Sequence, residues 1–223
     1  MGTNRQHRGR GNDPAFPRLL GGRLCLDYVN TIESPRDRPQ DFLRGYPDVV
    51  RWGRHAGVLA DAETAALMQA GERRPQDATA VFARAIVLRG ALTRIFRSVA
   101  GGGAPDPGDL DAARAEYLIA LDRARLAPGG DGFAWTWDAP SARPALDLGL
   151  DLDIPLWPVA RSAVDVLTGD DLSRVKECPG ADDCGWLFYD TSKNASRRWC
   201  SMEGCGSRVK MRHHYARTRA GAT

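Results

Sequence analysis

The sequence predicts an α+β protein: a mainly helical N-terminal domain with a small β-hairpin or sheet, then a compact cysteine-rich unit. Three observations predict it. Val81, Phe82, Ala85, Leu88, Leu92, Ile95, Phe96 and Val99 form one apolar stripe at helical spacing, as a core helix does. Phe133, Trp135 and Trp137 alternate with Ala134 and Thr136, the period of a half-buried strand. Four of the five cysteines, Cys178, Cys184, Cys200 and Cys205, stand in two short-spaced pairs.

The 223 residues, 43% of them hydrophobic, suffice for one large or two smaller domains with an ordinary core. No run approaches the roughly eighteen apolar residues of a membrane span. Residues 1–18 combine Gly, Arg, Asn and Pro with no apolar stretch behind them. They read as a disordered basic leader and not as a secretory signal, which makes the expected compartment cytoplasmic. The net charge of +3 is unevenly spread. Lys193–Arg219 holds eight Lys or Arg against one acid, Glu203, while the body between the leader and this end is acidic. A polyanion would therefore meet the C-terminal end.

The chain order supports each element. After the Gly21-Gly22 turn, Leu24–Val29 reads as a short strand or a helix start. Cys25 has no cysteine neighbour and is expected as a small buried hydrophobe. Asp27 and Asn30 are polar groups in an apolar setting, suited to capping or to lining a pocket. Residues 34–47, rich in Pro, Arg and Asp, read as a loop. A helix follows from about Asp48, a second is capped by Asp61, and a long third runs from Gln76 to about Val99. Arg89 lies within its stripe, either as a ligand anchor or as a surface arginine. Asp109 is expected to cap the next helix, to about Asp122, with Ala113, Tyr117 and Leu121 on one side. Arg123–Leu126 is the expected hairpin partner of the Phe133–Trp137 strand. Pro155 opens a further helix with Val159, Ala163, Val166 and Leu167 inward, ending at Thr168-Gly169.

The two cysteine pairs, C-x5-C and C-x4-C, point to a metal. Thiols stay reduced in a cytoplasmic chain, each pair can clamp an ion from one turn, and Pro179-Gly180, Gly204 and Gly206 supply the turns. Structural zinc sites favour such closed sulfur sets, although the first spacing is wider than the usual two to four residues. Val175 and Lys176 lead into the first pair, Trp186–Tyr189 leave it as a strand, and the second pair heads a helix from Met202 to about Thr218. That order is treble-clef-like. Four thiolates and one Zn²⁺ sum to −2, which Arg197, Arg198 and Arg208 can offset. Lys210, Arg212, Arg217 and Arg219 lie further along, and no acid occurs from Arg208 onward. Arg and Lys at this density suit phosphates and guanine edges.

The run from Asp183 to Arg217 resembles the CGNR zinc finger. The segments G-G-R-L-C-L-D-Y-V-N-T, R-G-A-L-T-R-I-F and L-W-P-V-A-R-S-A resemble the ABATE domain. The resemblance implies a bacterial stress-induced transcription regulator: an ABATE-like α/β domain over residues 19–169, thought to sense a small ligand, and a DNA-binding finger over 174–219. By position it makes Cys178, Cys184, Cys200 and Cys205 the zinc ligands. Its name-giving tetrapeptide is Cys205-Gly206-Ser207-Arg208 here, with Ser207 where the family has Asn.

The expected function is zinc-dependent, regulatory binding of double-stranded DNA through Arg197, Arg198, Arg208, Lys210, Arg212, His213, Arg217 and Arg219. Asp27, Asn30 and Arg89 are candidate ligand contacts. The N-terminal domain would sense that ligand or mediate assembly as a homodimer. A zinc-stabilised protein-interaction or RNA-binding module is the alternative. No Ser/His/Asp set, paired carboxylates or phosphate loop emerges, and a four-cysteine zinc leaves no open position, so no enzyme and no membrane partner are expected.

Overall fold

The computed structural model describes residues 13–33, 40–129, 132–137, 151–180 and 184–220. Its architecture is α+β. Helices α1 (Leu24–Val29), α2 (Tyr46–His55), α3 (Asp61–Arg73), α4 (Pro75–Ala100), α5 (Pro107–Arg123) and α6 (Trp157–Gly169) build the N-terminal part. Among the described residues three two-stranded antiparallel sheets accompany them: β1 (Ile32–Glu33) with β2 (Gln40–Asp41), β3 (Arg125–Gly129) with β4 (Gly132–Thr136), and β5 (Val175–Glu177) with β6 (Leu187–Tyr189). A wide single turn, Met202–Gly206, runs into the last helix, α7 (Ser207–Ala220). No described helix is long and apolar enough to cross a membrane.

The long helix α4 is the central strut, packed against α1, α2, α3, α5 and β5. Pro75 sits in its first turn, where a missing N–H breaks no helical bond. The predicted stripe is its core face: Val81, Ala85, Leu88, Leu92, Ile95 and Phe96 are all buried. Helix α1 is short but wholly buried and lies between α6, α4 and β6. Burial on all sides leaves Leu24–Val29 no polar face, which is why its sequence also resembles a strand.

Strand β6 joins the two parts of the molecule. Side chains alternate across a strand. Leu187 and Tyr189, with Val175 of β5, enter the main core. Phe188 joins Trp186, Cys178, Cys200 and Cys205 in a second, small cluster. The finger hairpin is thus one wall of the N-terminal core as well as the floor of the cysteine site.

Several expectations change. Residues 1–12 of the expected leader lie outside the described residues. Its end is anchored: Phe16 is buried, 5.5 Å from the His55 ring, and the Pro17 carbonyl lies 2.9 Å from His55 Nε2. The cap of α5 is Asp106, whose carboxylate accepts from Gly108 N at 2.8 Å, while Asp109 pairs with Arg94 at 2.6 Å. The β3–β4 hairpin forms in the register Leu126↔Trp135, but it is not half-buried: Phe133 is 71% and Trp135 40% exposed. Its root is tied in by Trp137 Nε1 donating to Ala120 O at 2.7 Å, and the Arg161 guanidinium of α6 lies 6.0 Å from the Trp135 ring centroid. Period-two alternation shows which side chains share a face, not whether a partner covers it.

Candidate metal centre and nucleic-acid interface

The first cysteine pair spans the tip of the β5–β6 hairpin. Cys178 N donates to Trp186 O at 2.8 Å and Gly185 N to Cys178 O at 3.2 Å, closing the knuckle. The second pair sits at the head of the wide turn, where Gly206 N reaches back five residues to Ser201 O at 3.0 Å. That extra residue in the turn brings Cys205 round to face Cys200. Close packing demands glycine twice. A Cβ on Gly180 would lie 2.4 Å from Cys184 Cβ, and one on Gly206 would lie 2.7 Å from Met202 Sδ.

The four sulfurs all lie within 4.8 Å of one another. Cys184 and Cys200 Sγ are 3.7 Å apart, and Cys200 and Cys205 Sγ 3.6 Å. A tetrahedron with Zn–S near 2.3 Å has edges of about 3.8 Å, so the quartet fits a zinc ion held by four cysteines. The amide of Cys200 points at Cys178 Sγ at 3.3 Å, a donor suited to a thiolate. Electrostatics agree. Thiol hydrogen bonds from Cys184 and Cys200 hold the Cys178 thiol well below its usual pKa and favour its thiolate, while Cys184 and Cys200 are pushed up because they share their protons with it. By themselves the neighbours suppress further ionisation. Four thiolates at this spacing require a cation, and one structural Zn²⁺ is the ion the donor set matches.

A polar frame locks the finger. The buried Asp190 carboxylate accepts from Lys176 Nζ at 2.7 Å, Ser192 Oγ at 2.6 Å, Ser192 N at 2.9 Å and Arg197 N at 2.8 Å. Burial by itself would raise the Asp190 pKa, but these donors outweigh it and hold the carboxyl well below the usual range. Lys176 also donates to Ala195 O at 2.5 Å and Arg197 O at 3.2 Å. The sequence does not announce this frame, because Lys176 and Asp190 converge only after the hairpin closes.

The basic residues divide by position. Arg197 Nε donates to Trp199 O at 2.9 Å, and its Nη2 donates to Leu20 O at 3.0 Å and to Cys200 O, with the guanidinium 4.5 Å over the Phe188 ring. Arg197 therefore clamps the metal loop to the N-terminal part instead of facing solvent as a polyanion contact. Arg198 is exposed and lies 5.5 Å from the Trp199 ring centroid. On α7, Arg208, Lys210, Arg212 and Arg217 are exposed, and no described side chain of the helix enters either core. The side chains of His213 and Arg219 lie outside the described residues. Ser207 Oγ donates to Met202 O at 3.0 Å, so serine makes a local tie at the position where the resemblance places Asn.

The candidate ligand residues are not brought to one pocket. Asp27 Oδ1 accepts from Gly21 N at 2.7 Å, and burial pushes its carboxyl up to about 7 against those amide bonds. Asn30 meets the backbone of Leu187 in the finger: Nδ2 donates to Leu187 O at 2.8 Å, and Leu187 N donates to Oδ1 at 3.0 Å. Arg89 is buried, donating to Asp41 at 2.7 and 2.5 Å and to Thr31 Oγ1 at 3.1 Å. Each is occupied by a protein partner. Polar residues in an apolar run mark buried hydrogen bonding; sequence alone does not say with what.

A helical α+β domain whose core continues into a four-cysteine site with a basic helix defines a zinc-finger protein. The sequence model of the ABATE family, described as "Putative stress-induced transcription regulator", matches residues 22–170, and the CGNR zinc finger matches residues 174–218. The first match spans more than half of the chain, which therefore belongs to the ABATE family. A search of curated proteins finds no match.

Proposed function

We propose that the protein is a transcription regulator that binds double-stranded DNA through α7, with the N-terminal domain modulating the contact through a ligand or a second copy of the chain. The observation that carries this reading is α7 itself. It bears Arg208, Lys210, Arg212, Arg217 and Arg219 with no acid among its residues, and the exposed ones among them stand on two opposite sides. A helix lying in the major groove has a phosphate wall on either side, so a helix basic on both sides suits that seat better than a single basic stripe would.

When bound, zinc holds Cys178, Cys184, Cys200 and Cys205 together and closes a unit too small for a core of its own. The four cysteines carry no reactive position, which is why the reading is regulatory and not enzymatic. Arg197 and Lys176 orient the loops that present α7, and Arg198 and the α7 cations meet the polyanion.

The test is selection from random duplex DNA with the zinc-loaded chain, with total cellular RNA as competitor. Enrichment of a DNA motif supports the reading. Preference for RNA, or no retention of either, would transfer the finger to the RNA-binding or protein-interaction class. Six neutralised phosphates would lower affinity by about three decades between low and moderate salt.

A further inference from the structure

Helix α7 carries its cations in two rows with a neutral stripe between them. With Met211 as the origin and about 100° per residue, Arg208 and Arg212 project about 60–100° to one side, and Lys210 and Arg217 about 100–120° to the other. Ser207, His214 and Thr218 lie within about 60° of Met211 and complete the stripe. Among the described side chains of the helix only Val209 is partly buried, and it projects about 160° from Met211. The stripe is therefore the side of α7 turned away from the body of the finger.

Two members of the stripe spend their hydroxyl protons on backbone: Ser207 Oγ donates to Met202 O at 3.0 Å and Thr218 Oγ1 to His214 O at 3.0 Å. Met211 is the apolar member, and it is 56% exposed. A single exposed apolar side chain is ordinary on a protein surface. The place of this one is not, since it stands between two cationic rows at the outermost line of the helix. Met202, the other exposed methionine among the described residues, does not share that place. Its sulfur lies back over Gly206, where a Cβ would meet it at 2.7 Å.

Charge selects the occupant of this face. An apolar protein surface seated on Met211 would have to bury the cations of both rows, which is costly. Duplex DNA meets each row with phosphates and the stripe with base edges. The major groove of A-form RNA is too deep and narrow for side chains to read. In the major groove of B-form DNA the apolar group on display is the 5-methyl of thymine, and an unbranched thioether adapts its shape to such a target.

We propose that Met211 is a specificity-determining residue that packs its thioether on the 5-methyl group of one thymine in the bound site. The proposal rests on the reading of α7 as a major-groove helix, and it adds the base-contacting residue and the base. The flanking Arg and Lys hold the helix on the backbone whatever the sequence, while Met211 favours one base.

The test starts from a duplex enriched from random DNA by the full zinc-loaded chain. Each thymine is replaced in turn by deoxyuridine, which removes the 5-methyl and leaves base pairing and phosphates in place. One replacement should weaken binding about three- to fivefold, the worth of taking one methyl group out of water. Met211→Ala should bind the thymine and deoxyuridine duplexes equally at that position. Its zinc content, melting temperature and salt slope should stay unchanged, because alanine suits an exposed helical position and no phosphate contact is lost. Salt-dependent binding indifferent to every thymine methyl, or a methyl effect that survives Met211→Ala, overturns the proposal and leaves the DNA reading standing. Retention of no duplex at all overturns both.

Discussion

The side-chain amide of Asn30 completes both backbone hydrogen bonds of Leu187, at 2.8 and 3.0 Å, across 157 residues of sequence. It acts as the missing neighbour of β6, replacing one rung of a ladder with a side chain. Around it, Tyr189 N donates to Gly21 O at 2.7 Å, Arg23 pairs with Asp170 at 2.7 Å and its guanidinium covers the Tyr189 ring at 3.9 Å. The finger is welded to the helical domain, not tethered to it.

Asn30→Ala should therefore destabilise the whole chain by about 2–4 kcal/mol, since it leaves a buried N–H and a buried C=O unpaired. Denaturant unfolding followed by Trp fluorescence and by zinc release should show both signals shifting together. Separate transitions, with only one of them moved, would mean that the two parts fold independently.

Metal analysis of the purified chain should give about one zinc per chain. Cys200→Ser should lose it. Gly180→Ala should weaken zinc affinity while keeping all four ligands, because its Cβ would fall 2.4 Å from Cys184 Cβ. Chelation should lower the melting temperature of the helical domain as well, through the shared β5–β6 wall. Unchanged helical melting after complete zinc removal would contradict that coupling.

Asp27 sets a pH dependence whose sign follows from its raised pKa, about 7 in the folded chain against an unfolded value near 3.9. The folded state holds the proton more tightly. Its contribution is thus fully present below about pH 4, is lost as pH rises toward 7, and is on the order of 2–4 kcal/mol. Comparing the wild type with Asp27→Asn isolates this from the opposing pH dependence of zinc binding. The amide keeps an oxygen for Gly21 N, and the stability difference between the two proteins should change over pH 4–7. A constant difference across that window would show that Asp27 does not titrate there.

Cations on α7 and cations at the metal loop should separate experimentally. Arg212→Ala with Arg217→Ala should weaken duplex binding and reduce the salt slope by about one per lost phosphate contact, with zinc content and melting unchanged. Arg197→Ala should behave in the opposite way. It removes donors to Leu20, Trp199 and Cys200 carbonyls, so stability falls while the salt slope of any remaining binding holds. Equal effects of the two variants on the slope would place Arg197 on the DNA after all.

Much of the fold is legible in the chain because periodicity and turn chemistry are local. The stripe of α4, the Pro155 entry to α6 and the two cysteine pairs each state their own structure. The metal centre is the most legible part, since four thiols in short pairs with glycines leave few chemical alternatives. The roles of the polar residues are not legible. Asn30 reads as a cap or a pocket group, Arg89 as a ligand anchor or a surface arginine, and Arg197 as a counter-charge to the metal or a polyanion contact, yet the fold engages each one internally. Arg89 reaches Asp41 across 48 positions, Asn30 reaches Leu187 across 157, and Arg197 reaches Leu20 across 177.

The sequence by itself determined the long helices, the zinc ligands and the basic character of α7, because each depends on residues close together in the chain, but it left Leu24–Val29 open between strand and helix and read the β2 strand at Gln40–Asp41 as loop. Only the tertiary structure decided that finger and helical domain share one core, that the arginine beside the metal is a clamp, and that the β3–β4 aromatics face outward. Those depend on which distant groups satisfy each buried donor and acceptor, a property of the packed chain that no local pattern carries.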